Sequence, residues 1–261
     1  MRINVHAGHA AVGKGAIGAV GLISESVEDR KVKDYVIAKL RAQGHTVYDC
    51  TVDSGTQSGV LRAIVQKCNS HAVDLDVSIH FNSGANRRVK DGVTTGTEVW
   101  VYSANSGCMN HAQRTVEAIA ALGFKNRGVK TSKSLYVLAR TKAPAMLVEC
   151  CFVDDGDDVA RYNAESMANA IVQGITGVVP AATSPAAQAP AQPSAAPTSG
   201  SFLVKTKVNL NVRKGPGISY GITTVAKKNT KFTITEVKGG WGKLKSGAGW
   251  INISTAYVSF V

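Results

Sequence analysis

A proline- and alanine-rich segment divides this chain into two unequal parts. From Pro180 to Ser201 the sequence reads PAATSPAAQAPAQPSAAPTSGS, with five of the seven prolines and neither a charged nor an aromatic residue. A segment of this composition lacks the apolar side chains that a core needs, and it forms an extended, semi-stiff tether. The sequence therefore predicts a domain over residues 1–178, a linker over 179–201 and a smaller domain over 202–261.

Charge is distributed unevenly between these two domains. The chain carries a formal net charge of +12, and residues 202–261 hold ten Lys or Arg against one acid, Glu236. The smaller domain is therefore +9 and the rest of the chain +3, which indicates a polyanionic partner for the smaller domain. Nucleic acid, anionic lipid and anionic cell-wall polymer all meet that condition. The near balance of the larger domain argues against a nucleic-acid reader.

The larger domain alternates strand-like and helix-like patterns. Strands are predicted at Arg2–His6, Thr46–Tyr48, Leu75–Phe81, Thr97–Tyr102, Leu135–Leu138 and Ala145–Glu149. Helices are predicted at Glu25–Gln43, Gly59–Cys68, Cys108–Leu122 and Asn163–Ile175. Such alternation is typical of an α/β fold with a central, mostly parallel sheet flanked by helices. The smaller domain has only short alternating segments between glycines, which predicts a small all-β barrel.

Cysteines and apolar runs bear on the compartment. The five cysteines are an odd number with no C-x-x-C pair, which favours buried thiols in a reducing compartment over a disulfide framework or a cysteine-ligated zinc site. Apolar runs such as 168–179 contain Asn169 and Gln173 and are too short to span a membrane. The first residues, Met-Arg-Ile-Asn-Val-His, do not resemble a signal peptide, so we expect no export signal and no membrane insertion.

Two histidines stand where strands are predicted to end. His9 follows the first strand on a loop that begins at Gly8, and His80 lies near the end of the apolar run LDVSIHFN. Ligand sites in open α/β sheets gather beyond the carboxyl ends of the strands. A histidine at such a position is either a packed structural residue or a metal ligand.

Two glutamates complete the candidate site. Glu25 opens the first long helix, where an acid is favoured by the helix dipole whatever its function. Glu149 ends an apolar strand, so desolvation should raise its pKa towards the range used in proton transfer; the alternative is a structural ion pair with Lys130 or Arg140. Two histidines, one carboxylate and a water make a hydrolytic zinc arrangement, with a further carboxylate as the proton shuttle. His9, Glu25 and His80 with Glu149 match that set, although they are scattered over 140 positions.

Four motifs of the larger domain occur in the order found in a known family. They are Gly8-His9, Glu25, Ser78-Ile79-His80-Phe81-Asn82 and Leu147-Val148-Glu149-Cys150-Cys151-Phe152. With them, residues 1–176 resemble the zinc-dependent N-acetylmuramoyl-L-alanine amidases. The resemblance implies that His9, Glu25 and His80 hold Zn²⁺, that Glu149 is the catalytic acid/base and that Asn82 contacts substrate. His6 replaces an acid of the family pattern, and we expect it to pack in the core or to support the site from behind.

The smaller domain resembles a bacterial SH3-like wall-binding domain. The resemblance rests on Leu210-Asn211-Val212-Arg213-Lys214-Gly215-Pro216-Gly217, on the segment 240–244 and on Gly249-Trp250-Ile251. Cations and aromatic rings suit an anionic polymer, and Arg213, Tyr220 and Trp241 are the candidate wall-binding residues. Trp250 is expected to belong mainly to the barrel core.

Together the two resemblances imply a peptidoglycan hydrolase. It would cleave the amide between N-acetylmuramic acid and L-alanine of the stem peptide and hold bacterial peptidoglycan and its associated polymers through the smaller domain. The expected absence of an export signal favours a phage endolysin, made in the host cytoplasm and released onto the wall at lysis. A host autolysin, or a zinc peptidase that cuts within the stem peptide, is the alternative.

Overall fold

The computed structural model describes residues 1–178, 201–207, 209–216, 220–238, 240–253 and 257–260. Contacts divide the chain into two compact units, Met1–Ala182 and Thr183–Val261. Apart from Ser201, the predicted linker lies outside the described residues, so the domain boundaries derived from it stay a prediction.

A six-stranded sheet forms the centre of the first unit. Its strands are β1 (Arg2–Ala7), β2 (Thr46–Asp49), β3 (Leu75–Asn82), β4 (Thr97–Val101), β5 (Asn126–Thr131) and β6 (Ala145–Phe152), in the spatial order β2-β1-β3-β6-β4-β5. Every neighbouring pair is parallel except β4 and β6, which are antiparallel. The predicted mostly parallel α/β sheet is confirmed.

Helices cover both faces of this sheet. They are α1 (Glu25–Ala42), α2 (Gln57–Asn69), α3 (Met109–Ala120), α4 (Tyr136–Arg140), α5 (Gly156–Arg161) and α6 (Ala164–Thr176). The main apolar cluster joins one face of the sheet to α1, α3 and α6. On the other face, Leu147 of β6 packs with Leu138 of α4. Because side chains alternate along a strand, this second face is where every other residue of β3 and β6 points, His80 and Glu149 included.

One predicted strand is wrong. Leu135–Leu138 does not pair with the sheet; Tyr136–Arg140 forms the short helix α4, with the amide of Ala139 bonded to the carbonyl of Leu135. A four-residue apolar run carries too little periodicity to separate a strand from a helical turn. One edge of the sheet is β5, whose polar sequence NRGVKT was not predicted as a strand. Charged side chains are common on edge strands because one side of the strand faces solvent.

The second unit is all-β, as predicted. Its strands are β7 (Phe202–Thr206), β8 (Leu210–Arg213), β9 (Ile222–Ala226), β10 (Lys231–Lys238), β11 (Trp241–Leu244), β12 (Trp250–Asn252) and β13 (Val258–Phe260), and the pairs between them are antiparallel. Trp250 is 8% exposed, so its predicted place in the core is confirmed.

The remaining composition-based expectations concern thiols and membranes. All five cysteines are buried and free, as expected. In the part of the chain that the structure describes, no helix combines the length and the apolar character needed to cross a bilayer.

Candidate metal centre and catalytic site

Three predicted ligands meet at the carboxyl edge of the sheet. One donor atom each from His9, Glu25 and His80 lies within 4.8 Å of the others. His9 Nε2 is 3.2 Å and His80 Nδ1 3.1 Å from the same oxygen, Oε1 of Glu25. Two imidazole nitrogens and a carboxylate oxygen are three of the four ligands of a tetrahedral hydrolytic Zn²⁺ site, in which water is the fourth. By geometry and donor chemistry, the residues present fit a zinc ion.

Backbone contacts hold the two histidines in place. The amide of Gly8 donates to the carbonyl of Ile79, which ties the His9 loop to β3 next to His80. From α1, Arg30 Nη2 donates to the carbonyl of His9 at 2.9 Å and to Asp53 Oδ1 at 3.0 Å. The loop that carries His9 is therefore held by β3 and by the Arg30 side chain of α1. Outer contacts of this kind fix the orientation of metal ligands.

Two glycines allow the ligands to come together. A Cβ atom added at Gly8 would lie 2.0 Å from His80 Cε1, and one at Gly18 would lie 2.1 Å from Glu25 Oε2. No side chain fits at either position unless a predicted ligand moves. Gly18 was not singled out from the sequence, because the loop between His9 and Glu25 shows no pattern that reveals this contact.

The carboxylate of Glu25 binds groups of other segments rather than capping its own helix. Ser24 is the N-cap of α1, without a side-chain cap bond, whereas Glu25 accepts hydrogen bonds from the amides of Ala19 and Phe81. Burial tends to raise the pKa of Glu25, but the hydrogen bonds and charges of His80 and His9 outweigh it and hold that pKa well below its usual range. Glu25 is therefore an anion in place to ligate a cation.

Glu149 lies beside this centre in a different electrostatic setting. It is the direct cross-strand neighbour of His80, and its Oε2 is enclosed with no hydrogen-bond partner among the described residues. Burial raises the pKa of Glu149 to about 7. A carboxyl group with such a pKa can both accept and return a proton near neutral pH. The alternative ion pair does not form: Lys130 bonds Glu98, and Arg140 is exposed.

A second buried carboxylate, Glu98, was not predicted as a site residue. It is the cross-strand neighbour of Glu149 and accepts hydrogen bonds from Asn82, Trp100, Arg127 and Lys130. Asn82, the predicted substrate contact, is thus bound to Glu98 through its side-chain amide. The available signal was an acid within the apolar strand TEVWV, since a buried charge needs partners.

His6 stays outside the three-residue group and packs in the core. It is fully buried, and its Nδ1 contacts the carbonyl oxygen of Ala7 at 3.1 Å. Burial lowers the pKa of His6 to about 4, so the ring is neutral at physiological pH.

Aspartates after β6 anchor the long loop between β3 and β4. Asp154 accepts hydrogen bonds from the amides of Gly84, Ala85 and Asn86, and Asp157 accepts from those of residues 91 and 92. These aspartates were not singled out from the sequence, because an acidic run by itself does not show which amides it will bind. Here the carboxylates replace water as partners for the loop amides and fix the conformation of that loop.

The three predicted wall-binding residues lie in the second unit with different exposure. Tyr220 is 47% exposed, whereas Arg213 and Trp241 are half-buried. Arg213 Nη1 donates to the carbonyl of Tyr220 at 2.8 Å, which holds the two side by side.

Comparison with known families and structures agrees with this geometry. Residues 3–179 match the family model described as N-acetylmuramoyl-L-alanine amidase, and residues 208–259 match the bacterial SH3 domain. The catalytic domain of the CD27L endolysin, which targets Clostridia difficile, superposes with a TM-score of 0.60 at 26% identity, over 68% of this chain and 97% of that one.

Two sequence relatives match the first unit. An uncharacterized protein of Clostridium perfringens is 38% identical over 163 residues, which are 62% of this chain and 47% of that protein. N-acetylmuramoyl-L-alanine amidase LytC of Bacillus subtilis is 31% identical over 160 residues, 61% of this chain and 31% of that protein. The chain thus spans about half the length, or less, of these relatives.

Proposed function

The chain belongs to the N-acetylmuramoyl-L-alanine amidase family, and from this we propose that it hydrolyses the amide between the lactyl group of N-acetylmuramic acid and L-alanine of the stem peptide. The observation that carries the proposal is the set of His9, Glu25 and His80 donors beside a carboxyl group, Glu149, whose pKa is raised to about 7. Of these residues, His80 and Glu149 lie on the neighbouring strands β3 and β6, which supports a proton shuttle next to a metal ligand.

Each residue has a distinct task in this proposal. A bound zinc ion lowers the pKa of a water molecule and polarises the scissile carbonyl. His9, Glu25 and His80 hold the ion, and Gly8 and Arg30 keep His9 and His80 in position. Glu149 accepts a proton from the attacking water at Oε2 and delivers it to the leaving amino group of L-alanine. Burial of Glu149 is what allows both steps near neutral pH.

Product analysis tests the proposed bond. Digestion of purified peptidoglycan is expected to release one new L-alanine amino terminus per cleavage and to leave the glycan strands intact. New amino termini on any other residue would assign the cleavage to a zinc peptidase instead. New reducing sugar ends would assign it to a glycosidase.

We further propose that the enzyme is a phage endolysin acting on the cell wall. The likeness to the CD27L endolysin domain supports this origin, and the five buried thiols fit a protein made in a reducing cytoplasm. Similarity to LytC of B. subtilis favours the alternative of a host autolysin with the same product chemistry.

The second unit is proposed to bind wall polymers, with Arg213, Tyr220 and Trp241 as candidate contacts. Removal of residues 180–261 is expected to leave a folded domain, because the main core lies within residues 3–175. Binding of the truncated protein to purified walls should fall about tenfold or more, since a tethered second site raises the effective concentration at the wall. Pull-down with walls at several salt concentrations measures this.

Metal content provides the control for that truncation. The shortened protein should keep the zinc stoichiometry of the full chain, because every predicted ligand lies before residue 81. Undiminished wall binding would exclude a binding role for the second unit, and loss of zinc would contradict the two-domain division.

A further inference from the structure

A row of charged side chains continues from the proposed catalytic centre towards one edge of the sheet. His80 is paired with Glu149 across β3 and β6, and Glu149 is paired with Glu98 across β6 and β4. Glu98 Oε2 then accepts from Arg127 Nε at 2.6 Å and from Lys130 Nζ at 2.5 Å. Both of these cations belong to the edge strand β5.

The cations exceed the charge that they compensate. Glu98 is a single carboxylate, 3% exposed, whereas Arg127 and Lys130 bring two positive charges to it. Its pKa lies below the usual range: burial raises it, but hydrogen bonds from Arg127 and Lys130 outweigh this effect. The group therefore carries a net positive charge next to Glu149.

Each cation contacts both Glu98 and an aromatic ring, and both remain partly exposed. The Arg127 guanidinium lies 5.0 Å from the ring centre of Phe152, and Lys130 Nζ lies 5.3 Å from that of Trp100. About one third of each cationic side chain is exposed, at 30% and 33%. Arg127 donates to Glu98 through Nε. Its two terminal NH₂ groups make no hydrogen bond within the described residues.

We propose that Arg127 and Lys130 bind a free carboxylate of the stem peptide, on its second or third residue, and so determine which stem peptides are cut well. The proposal rests on the proposed amidase function. Neutralising Glu98 would require only one positive charge and no exposed hydrogen-bond donor. The structure instead has two cations there, and both are partly exposed. A guanidinium with two free NH₂ groups matches the geometry of a carboxylate.

The distance from the catalytic centre favours those two residues. Strands in a sheet lie about 4.8 Å apart, and the charged ends of Arg127 and Lys130 reach from β5 to Glu98 of β4, so they lie about one to two spacings, roughly 5–10 Å, from Glu149 on β6. An extended peptide advances about 3.3–3.6 Å per residue. A ligand group bound by these cations is therefore about two to three residues away from the scissile bond. Of the two groups that the scissile amide joins, the stem peptide is the one that carries free carboxylates.

Paired substrates test the proposal. Soluble muropeptides are compared with the carboxyl group of the second residue free or amidated, and separately with that of the third residue free or amidated. The unmodified enzyme is expected to show about tenfold higher kcat/KM for the free acid at one of the two positions, mainly through KM. In Arg127→Gln and Lys130→Gln that acid-to-amide ratio should fall towards one.

Lys133→Gln is the matched control, because Lys133 is an exposed cation just beyond β5; it should keep the wild-type ratio. Arg127→Lys retains the charge and should restore part of the preference. Calorimetric binding of the free-acid and amidated product peptides gives a second readout that needs no turnover.

Three outcomes are decisive. Equal kcat/KM and equal binding for acid and amide at both positions would overturn the inference while leaving the amidase proposal intact. An equal fall in Arg127→Gln for acid and amide substrates would assign Arg127 a purely structural role and also overturn it. If no muropeptide is cut before L-alanine, the proposed function fails, and peptide calorimetry alone decides the carboxylate site.

Discussion

Glu149→Gln is expected to lower kcat by a factor of about 10²–10⁴, the usual contribution of a positioned acid–base group. Glutamine keeps the shape of the side chain but cannot accept the proton of the attacking water. Because Oε2 of Glu149 has no hydrogen-bond partner among the described residues, the substitution breaks no contact that supports the fold. Turnover of walls or soluble muropeptides, with KM measured separately, gives the effect.

Two properties of that variant should remain those of the wild type: its zinc content and its binding to walls. Glu117→Gln, on the exposed side of α3, is the matched control and should be fully active. A Glu149→Gln protein that clears wall suspensions at nearly the wild-type rate would show that the proton shuttle is a different residue.

Glu25→Gln is expected to remove most of the bound zinc and, with it, the activity. The neutral amide is a much poorer ligand than the carboxylate on which both histidines converge. Elemental analysis of the purified variant should find well under one zinc per chain, against about one in the unmodified protein. Dialysis of the unmodified enzyme against a chelator should likewise stop turnover, and added zinc should restore it.

Thermal unfolding provides a readout that does not depend on catalysis. Zinc at about 100 times its Kd stabilises a one-site protein by about 2.7 kcal/mol, so it should raise the Tm of the unmodified chain and of Glu117→Gln but not that of Glu25→Gln. A fully active preparation without bound transition metal would end the zinc interpretation.

Hydrophobic periodicity was sufficient for most of the fold. The run LDVSIHFN could only be a strand covered on both faces, and the helical spacing from Val32 to Leu40 placed α1 within one residue of its observed end. The errors lie where this signal is weak. Leu135–Leu138 is too short to show a period, and β5 is too polar to resemble a buried strand.

The order of the motifs identified the candidate ligands, but the contacts that hold them could not be derived from it. A glycine is needed at position 18 only because the loop places this residue against Glu25, where a Cβ atom would collide with the carboxylate. The aspartates after β6 bind the amides of the loop between β3 and β4, a contact that no spacing in the sequence indicates.

The sequence by itself therefore determined the domain composition, the α/β and all-β classes and the residues able to ligate a metal, because periodicity and residue chemistry are local properties. Tertiary structure alone decided that His9, Glu25 and His80 converge, that Glu149 lies beside His80 and that Glu98 binds two cations from β5. These facts depend on which strands are neighbours. The chain runs from β3 through β4 and β5 before β6 inserts between β3 and β4, so residues far apart in sequence become adjacent only when the sheet forms.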